Sequence, residues 1–123
     1  MPVKRPKKLS AGEELFALQC RAMGVHMERE VKFHPDRMWR ADFCNRSRQI
    51  IVEIDGGNRM ATIGKDGKAY AIGRHTQDDD YAKLNAAALL GYRIFRFTAK
   101  MVKSGEAITM MLREFKKGVP NVP

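Results

Sequence analysis

The sequence predicts an α/β domain in which a mixed sheet is flanked by helices. Helical periodicity and strand-like alternation follow each other in the order helix, three strands, irregular stretch, helix, strand, helix. Residues 49–55 carry apolar side chains on both faces, as is typical of a central strand that is covered on each side. The last strand follows a helix, and this order favours a strand that runs parallel to one already in the sheet.

The first helix is predicted to begin at Ser10 and to end at Gly24. Ser10 is a good N-cap, and Glu13 three residues later completes a capping box. Glycine is the preferred residue just after a helix. The apolar residues at helical spacing are expected to face inward, namely Leu15, Phe16, Leu18, Cys20, Ala22 and Met23.

Three antiparallel strands are predicted next, at about residues 28–34, 38–44 and 49–55. In the first strand, Val31 and Phe33 alternate with polar residues, which indicates one polar face. Residues 58–77 are the least regular part of the chain. They contain two weak strands on either side of a predicted hairpin tip at residues 65–68.

The second helix is predicted to run from Asp78 to Leu90 and to end at Gly91. Its inward residues are expected to be Leu84, Ala87, Ala88 and Leu90. A β-branched and aromatic strand follows at residues 92–98, and a final helix lies between about residues 104 and 116. The inward face of the final helix is expected to be Ile108, Met111, Leu112 and Phe115.

The chain has 123 residues, which fits one compact domain. We expect this domain at residues 10–118, between a basic N-terminal arm at 1–9 and a tail at 119–123. Lys plus Arg number 23 against 14 Asp plus Glu, so the formal net charge is +9. Such an excess favours a polyanionic partner. The alternative is a protein that merely carries many lysines.

Neither cysteine, Cys20 or Cys44, belongs to a CxxC motif. We therefore expect both thiols to stay reduced, which fits a reducing cytoplasm. No apolar run approaches the roughly 20 residues of a membrane span, so no membrane partner is expected.

Three carboxylates stand on predicted strands of this basic chain. Asp42 lies on the second strand, and Glu53 and Asp55 lie two residues apart on one face of the third. Hard divalent cations such as Mg²⁺ prefer oxygen ligands, so these residues are candidate metal ligands. The alternative is three solvent-facing carboxylates that pair with nearby arginines, namely Arg40, Arg46 or Arg48. Spacing alone leaves both interpretations open.

Six segments in chain order carry a family resemblance: GEELFALQCRA, MWRADF, IIVEIDGG, GRHT, DYAKLNAAALLGYRIFRFT and MVKSGEA. The chain resembles small phage-type nucleases of the PD-(D/E)XK superfamily, in the group of the very-short-patch-repair endonuclease and junction-resolvase-like nucleases. The resemblance implies a restriction-endonuclease-like core. It also implies Mg²⁺-dependent hydrolysis of DNA phosphodiester bonds, with Mn²⁺ able to substitute, in a bacterial or phage-infected cell.

The resemblance assigns the motif aspartate to Asp42 and the second acidic residue to Glu53. The motif lysine two positions later is missing, because Asp55 stands there. Lys83 on the second helix and His75 in GRHT are the candidates to replace it. For each of them the alternative is an ordinary structural or solvated side chain.

The helix-one residue Glu13 matches a glutamate that assists metal binding in related nucleases, although its capping role competes with this assignment. Asp80 is expected to be a helix N-terminal charge, and Trp39 to be either a core residue or a base-stacking residue. The expected phosphate contacts are Arg40, Arg74, Arg93 and Arg96.

Two other functions compete with a nuclease: a non-catalytic nucleic-acid-binding protein on the same fold, and an assembly protein that binds acidic partners. The substrate shape stays open, with branched DNA as one candidate. Cutting two strands favours a homodimer, whereas a nicking enzyme works as a monomer.

Overall fold

A computed structural model of the protein describes residues 10–55, 62–63, 69–70 and 77–117. Its helices and strands are α1 (Ala11–Met23), β1 (Glu28–Lys32), β2 (Arg40–Asn45), β3 (Ile50–Asp55), β4 (Thr62–Ile63), β5 (Ala69–Tyr70), α2 (Gln77–Leu89), β6 (Arg93–Thr98), α3 (Ala99–Lys103) and α4 (Glu106–Lys116). The predicted α/β fold with a mixed sheet is confirmed. The predicted N-terminal arm and C-terminal tail lie outside the described residues.

The main sheet has four strands in the order β1-β2-β3-β6. The first three are antiparallel neighbours, and β6 runs parallel to β3, as the strand–helix–strand order predicts. The short strands β4 and β5 pair with each other as a separate antiparallel hairpin. This confirms the predicted hairpin, whose tip at residues 65–68 lies outside the described residues.

The sheet is covered on both faces, and each face has its own core. The larger core contains Ile50, Val52 and Ile54 of β3 together with buried side chains of α1, α3 and α4. The smaller core contains Ile51 of β3 and Ala87 of α2. Alternate side chains of β3 therefore enter different cores, which confirms β3 as the central, doubly covered strand.

Helix α1 begins and ends as predicted, but its inward face differs from the prediction. The Ser10 side chain accepts a hydrogen bond from the Glu13 amide, and Gly24 takes a left-handed backbone conformation with φ 72°. Leu18 and Met23 are 56 % and 53 % exposed and Ala22 is also exposed, so their predicted inward placement is wrong.

Close approach of α1 to the sheet explains the difference in its inward face. A Cβ atom on Gly12 would lie only 3.3 Å from Ala99 Cβ and from Ile54 Cγ2. The missing side chain brings this side of α1 against the sheet and α3. The residues one and two turns further on, Phe16 and Cys20, are consequently the buried ones.

The later helices also differ in part from the sequence expectation. In α2, Ala87 is buried as predicted, but Ala88 is exposed and Leu90 is 40 % exposed, so their inward assignment is wrong. The predicted final helix is confirmed as α4, with Met111 fully buried. Sequence reasoning missed α3, a short helix that Thr98 caps by accepting a hydrogen bond from the Met101 amide.

Both thiols are buried on opposite faces of the sheet, so we expect them to resist modification until the protein unfolds. Cys20 and Cys44 are free and belong to different cores. Burial raises the pKa of Cys20 to about 12, and only the thiolate is a good nucleophile. A thiol reagent such as dithionitrobenzoate should react only slowly with the native protein. Once guanidinium unfolds the protein, the reagent should react with both cysteines. Fast reaction of a thiol in the native state would contradict this packing.

Among the helices that the structure describes, none is both long enough and apolar enough to cross a membrane.

Candidate active site

Asp42 and Glu53 face each other where β2 and β3 stop pairing. The last backbone pair on this side joins Phe43 and Val52, and the same register puts Asp42 opposite Glu53. Beyond that pair, side-chain carboxylates instead of backbone carbonyls accept the hydrogen bonds of the backbone amides. The Ile54 amide donates to Asp42 Oδ2 at 2.9 Å, and the Asp42 amide donates to Glu53 Oε2 at 3.0 Å. These exchanged bonds hold both carboxylates in place.

Helix α2 adds a cation to this pair. Lys83 Nζ forms an ion pair with Glu53 Oε1. The two side chains are only 17 % and 13 % exposed, so little solvent screens their attraction. Lys83 thus brings a positive charge to Glu53 from α2, on the opposite side from the strand that carries Asp42.

A second group of carboxylates meets Asp42 from other elements. Ligand oxygens of Glu13, Glu30 and Asp42 all lie within 4.8 Å of one another. Glu13 comes from the first turn of α1 and is 8 % exposed. Close carboxylate oxygens are the donor set that a hard divalent cation prefers, so these residues fit such an ion.

Glu30 is the site residue that sequence reasoning missed, because alternation assigned it to a solvated strand face. The β1–β2 register on either side of it puts Glu30 opposite Asp42. Its φ of 52° lies in the left-handed region, at a cost on the order of 1 kcal/mol for a residue other than glycine. The regular strand geometry assumed from the sequence therefore does not hold at this residue.

Burial, together with neighbouring negative charge, raises the pKa of Asp42. Burial, and secondly the neighbouring Glu53, raise the pKa of Asp42 to about 7. The hydrogen bond from the Ile54 amide and the charge of Lys83 act in the opposite direction. A cation at this position would relieve the repulsion between the carboxylates.

Glu30, Asp42 and Glu53 line a cleft of about 910 Å³. Its lining residues come from the β1–β2 loop and the strands and helix around it: Glu30, Asp36, Arg37, Met38, Trp39, Arg40, Asp42, Glu53, Ile54, Asp55, Asp79, Asp80, Lys83, Leu84 and Arg96. The cleft therefore contains two of the expected phosphate contacts, Arg40 and Arg96.

Asp55, two residues after Glu53 on β3, bonds to one of these arginines. The Arg96 guanidinium lies 3.4 and 3.5 Å from the two oxygens of Asp55. Both side chains are about two-fifths exposed, at 39 % for Asp55 and 41 % for Arg96. Asp55 thus lies at the rim of the cleft rather than in the buried carboxylate group.

The other sequence candidates fall in different places. Arg93 lies at the opposite end of β6, outside the cleft, where it forms an ion pair with Glu114. Its guanidinium carbon lies 5.4 Å from the centroid of the Phe95 ring. Trp39 is half-buried against the smaller core, which favours its core interpretation. Arg74 and His75 lie outside the described residues.

The described residues form an α/β fold, a mixed sheet covered by helices on both faces with carboxylates where the central strands separate. Among solved structures, the chain is similar to one titled "Homing Endonuclease I-Bth0305I Catalytic Domain", with a TM-score of 0.56. The match covers 88 % of this chain and 94 % of that chain at 14 % identity, which shows a shared fold. Comparisons with protein-family models and with curated proteins gave no match. The narrower resemblance to the PD-(D/E)XK superfamily stays a prediction.

Proposed function

We propose that the protein is a metal-dependent endonuclease that hydrolyses DNA phosphodiester bonds. One observation carries the proposal: Asp42 and Glu53 face each other across separating strands, with the Lys83 ammonium on Glu53. A fold shared with a homing endonuclease catalytic domain and a formal charge of +9 support it. A basic surface is what a polyphosphate substrate requires.

The donor set suits Mg²⁺, with Mn²⁺ as a substitute. Asp42 and Glu53 are the proposed principal ligands, and Glu13 and Glu30 supply further oxygens beside Asp42. A bound Mg²⁺ would lower the pKa of a water molecule and stabilise charge on the phosphate and the leaving oxygen. Asp55 is the weaker ligand candidate, because it lies at the exposed rim of the cleft, away from the buried carboxylates.

The chain's own cations complete the proposed site. Lys83, held beside Glu53 in a poorly solvated position, would supply positive charge to stabilise the phosphate during cleavage. It thereby takes the role of the missing motif lysine. Arg40 and Arg96 line the same cleft and would hold neighbouring phosphates. His75 is the proposed general acid or base.

A cleavage panel tests the proposal directly. Purified protein is incubated with plasmid, branched and single-stranded DNA in Mg²⁺, in Mn²⁺ and in EDTA. We expect cutting in both metals and none in EDTA, and we expect Glu53→Gln to lose it. Glu28→Gln, at an exposed carboxylate on β1, is the matched control and should cut normally. Failure to cut any DNA in either metal would contradict the proposal.

A non-catalytic DNA-binding protein is the second candidate. The observation that favours it is Asp55 at the motif-lysine position. It predicts affinity that falls steeply as salt rises, together with no metal-dependent cutting. If the protein is instead an assembly protein that binds acidic partners, it should show little affinity for nucleic acid at any salt concentration.

A further inference from the structure

Four basic side chains surround the C-terminal turn of α4, and we call them the α4 basic surface: Arg48, Arg93, Lys116 and Lys117. Nη1 of Arg48 donates to the Lys117 carbonyl at 3.0 Å. Arg93 and Lys117 each form an ion pair with Glu114. Lys116 is exposed next to Lys117 in the chain. The β2–β3 turn, the start of β6 and the end of α4 thus bring positive charge to one place.

This positive charge exceeds what the end of α4 needs for its own stability. A helix C-terminus carries about half a unit of negative charge, which basic residues commonly neutralise. Glu114 adds one negative charge, since hydrogen bonds from Lys117 and Arg93 hold its pKa below the usual range. The helix end and Glu114 together require about one and a half positive charges, so the four side chains leave an excess of roughly two and a half. That excess is available to an anionic partner.

Two of these cations are held in place by aromatic rings. The guanidinium carbon of Arg48 lies 4.6 Å from the centroid of the Phe115 ring, and that of Arg93 lies over the Phe95 ring. Arg93 and Lys117 are nevertheless 45 % and 67 % exposed, so a ligand can reach both. A side chain that is already ordered loses less conformational entropy when it binds. The α4 basic surface is therefore better prepared for an anion than a set of freely moving lysines.

The α4 basic surface faces away from the candidate active site. Arg93 shares its face of β6 with Phe97, which belongs to the larger core beneath α4. Glu53 shares its face of β3 with Ile51, which belongs to the smaller core beneath α2. The strand register also pairs Arg93 with Ile50, at the opposite end of β3 from the carboxylates. The sheet therefore lies between this surface and a duplex in the cleft.

We propose that the α4 basic surface binds a second segment of nucleic acid, so that one molecule holds two segments at once. A phosphate backbone presents closely spaced anions, and guanidinium groups match phosphate oxygens with paired hydrogen bonds. This role rests on the proposed function, because nucleic acid is the polyanion that a nuclease meets. A DNA molecule held through its second segment would be present at a higher local concentration at the cleft.

Binding stoichiometry tests the second site without any need for cleavage. A duplex of about one helical turn, which covers one surface at a time, is titrated into the protein in EDTA at low salt. We expect two duplexes per wild-type chain, but one for the double variant Lys116→Gln with Lys117→Gln. The charge-preserving variant Lys116→Arg with Lys117→Arg should bind two. Lys100→Gln with Lys103→Gln, an equal change of charge at exposed residues of α3, should also bind two.

A wild type that binds only one duplex, or a double glutamine variant that still binds two, would overturn the proposal. A second readout is the capture of a labelled duplex by a bead-bound one, which should fall about 10-fold in the double glutamine variant. If a homodimer instead bridges the duplexes through its two clefts, this variant would capture as the wild type does, which would also overturn the proposal. The proposed function fails separately, if the wild type cuts no DNA, because neither readout depends on cutting.

Discussion

Asp42→Asn is expected to abolish metal-dependent cleavage and at the same time to stabilise the metal-free protein. The asparagine oxygen can still accept the Ile54 amide, but the buried negative charge beside Glu53 is removed. A principal ligand is lost, so the rate should fall by about 100-fold or more. The raised pKa of Asp42 means that ionising this carboxyl costs free energy in the folded state. Removing the charge should therefore increase the free energy of unfolding by on the order of 2 kcal/mol at neutral pH.

The pH dependence has a definite sign. The folded-state pKa of Asp42 is raised from 3.8 to about 7, so the folded protein holds this proton more tightly than the unfolded chain does. The contribution of this proton to the free energy of unfolding is fully present below pH 3.8 and is lost as the pH rises to about 7. Denaturant unfolding of the wild type in EDTA should show this loss, and Asp42→Asn should not.

Asp78→Asn provides the control for the stability experiment, since Asp78 is an exposed aspartate at the start of α2. It should lower stability by only a few tenths of a kcal/mol at most, through the helix dipole. Adding Mg²⁺ should raise the melting temperature of the wild type but raise that of Asp42→Asn much less. A wild type that gains stability from pH 4 to about pH 7 in EDTA would contradict the assignment.

Lys83→Met is expected to reduce the cleavage rate at saturating Mg²⁺ by about 100- to 1,000-fold, the effect of removing one charge-stabilising group from an active site. Methionine keeps the apolar stem of the side chain and removes the ammonium that contacts Glu53. Single-turnover cleavage is the proper measurement, because it separates chemistry from DNA release. Lys83→Arg should restore part of the rate, since it restores the charge with a different shape.

Lys103→Met is the matched control, because Lys103 is exposed at the end of α3. It should cut at the wild-type rate. A purely structural role of Lys83 gives a different result. In that case Lys83→Met would lower stability, because it leaves the partly buried Glu53 without its partner. The folded variant, saturated with metal, would still cut within about threefold of the wild-type rate. That outcome would remove Lys83 from the proposed catalytic residues.

Local patterns account for much of the fold. Ser10 and Gly24 predict the limits of α1, because capping depends on a few adjacent residues. The apolar run of β3 predicts its central place, because a strand that is apolar on both faces must be covered on both. Which side of α1 turned inward was not predictable, since it depends on the contact of Gly12 with Ala99 and Ile54.

In the candidate active site, too, local patterns predict some residues and only the packed structure reveals others. Asp42 and Glu53 were predictable because the side-chain period of two residues in a strand and a short antiparallel connection bring them together. The family resemblance named Lys83 as a candidate, whereas its ion pair with Glu53 is known only from the structure. Glu30 required the β1–β2 register and a left-handed backbone angle, neither of which sequence alternation contains.

The sequence by itself determined the class of the fold, the caps of α1, the central strand and the acidic pair, because each depends on local periodicity, adjacent capping residues or a short connection between strands. Only the tertiary structure decided that Glu13 and Glu30 join Asp42, and that Lys83 rather than Asp55 lies against Glu53 in the buried site. Those contacts join residues far apart in the chain. They depend on strand register and helix approach, which packing fixes only once the whole sheet has formed.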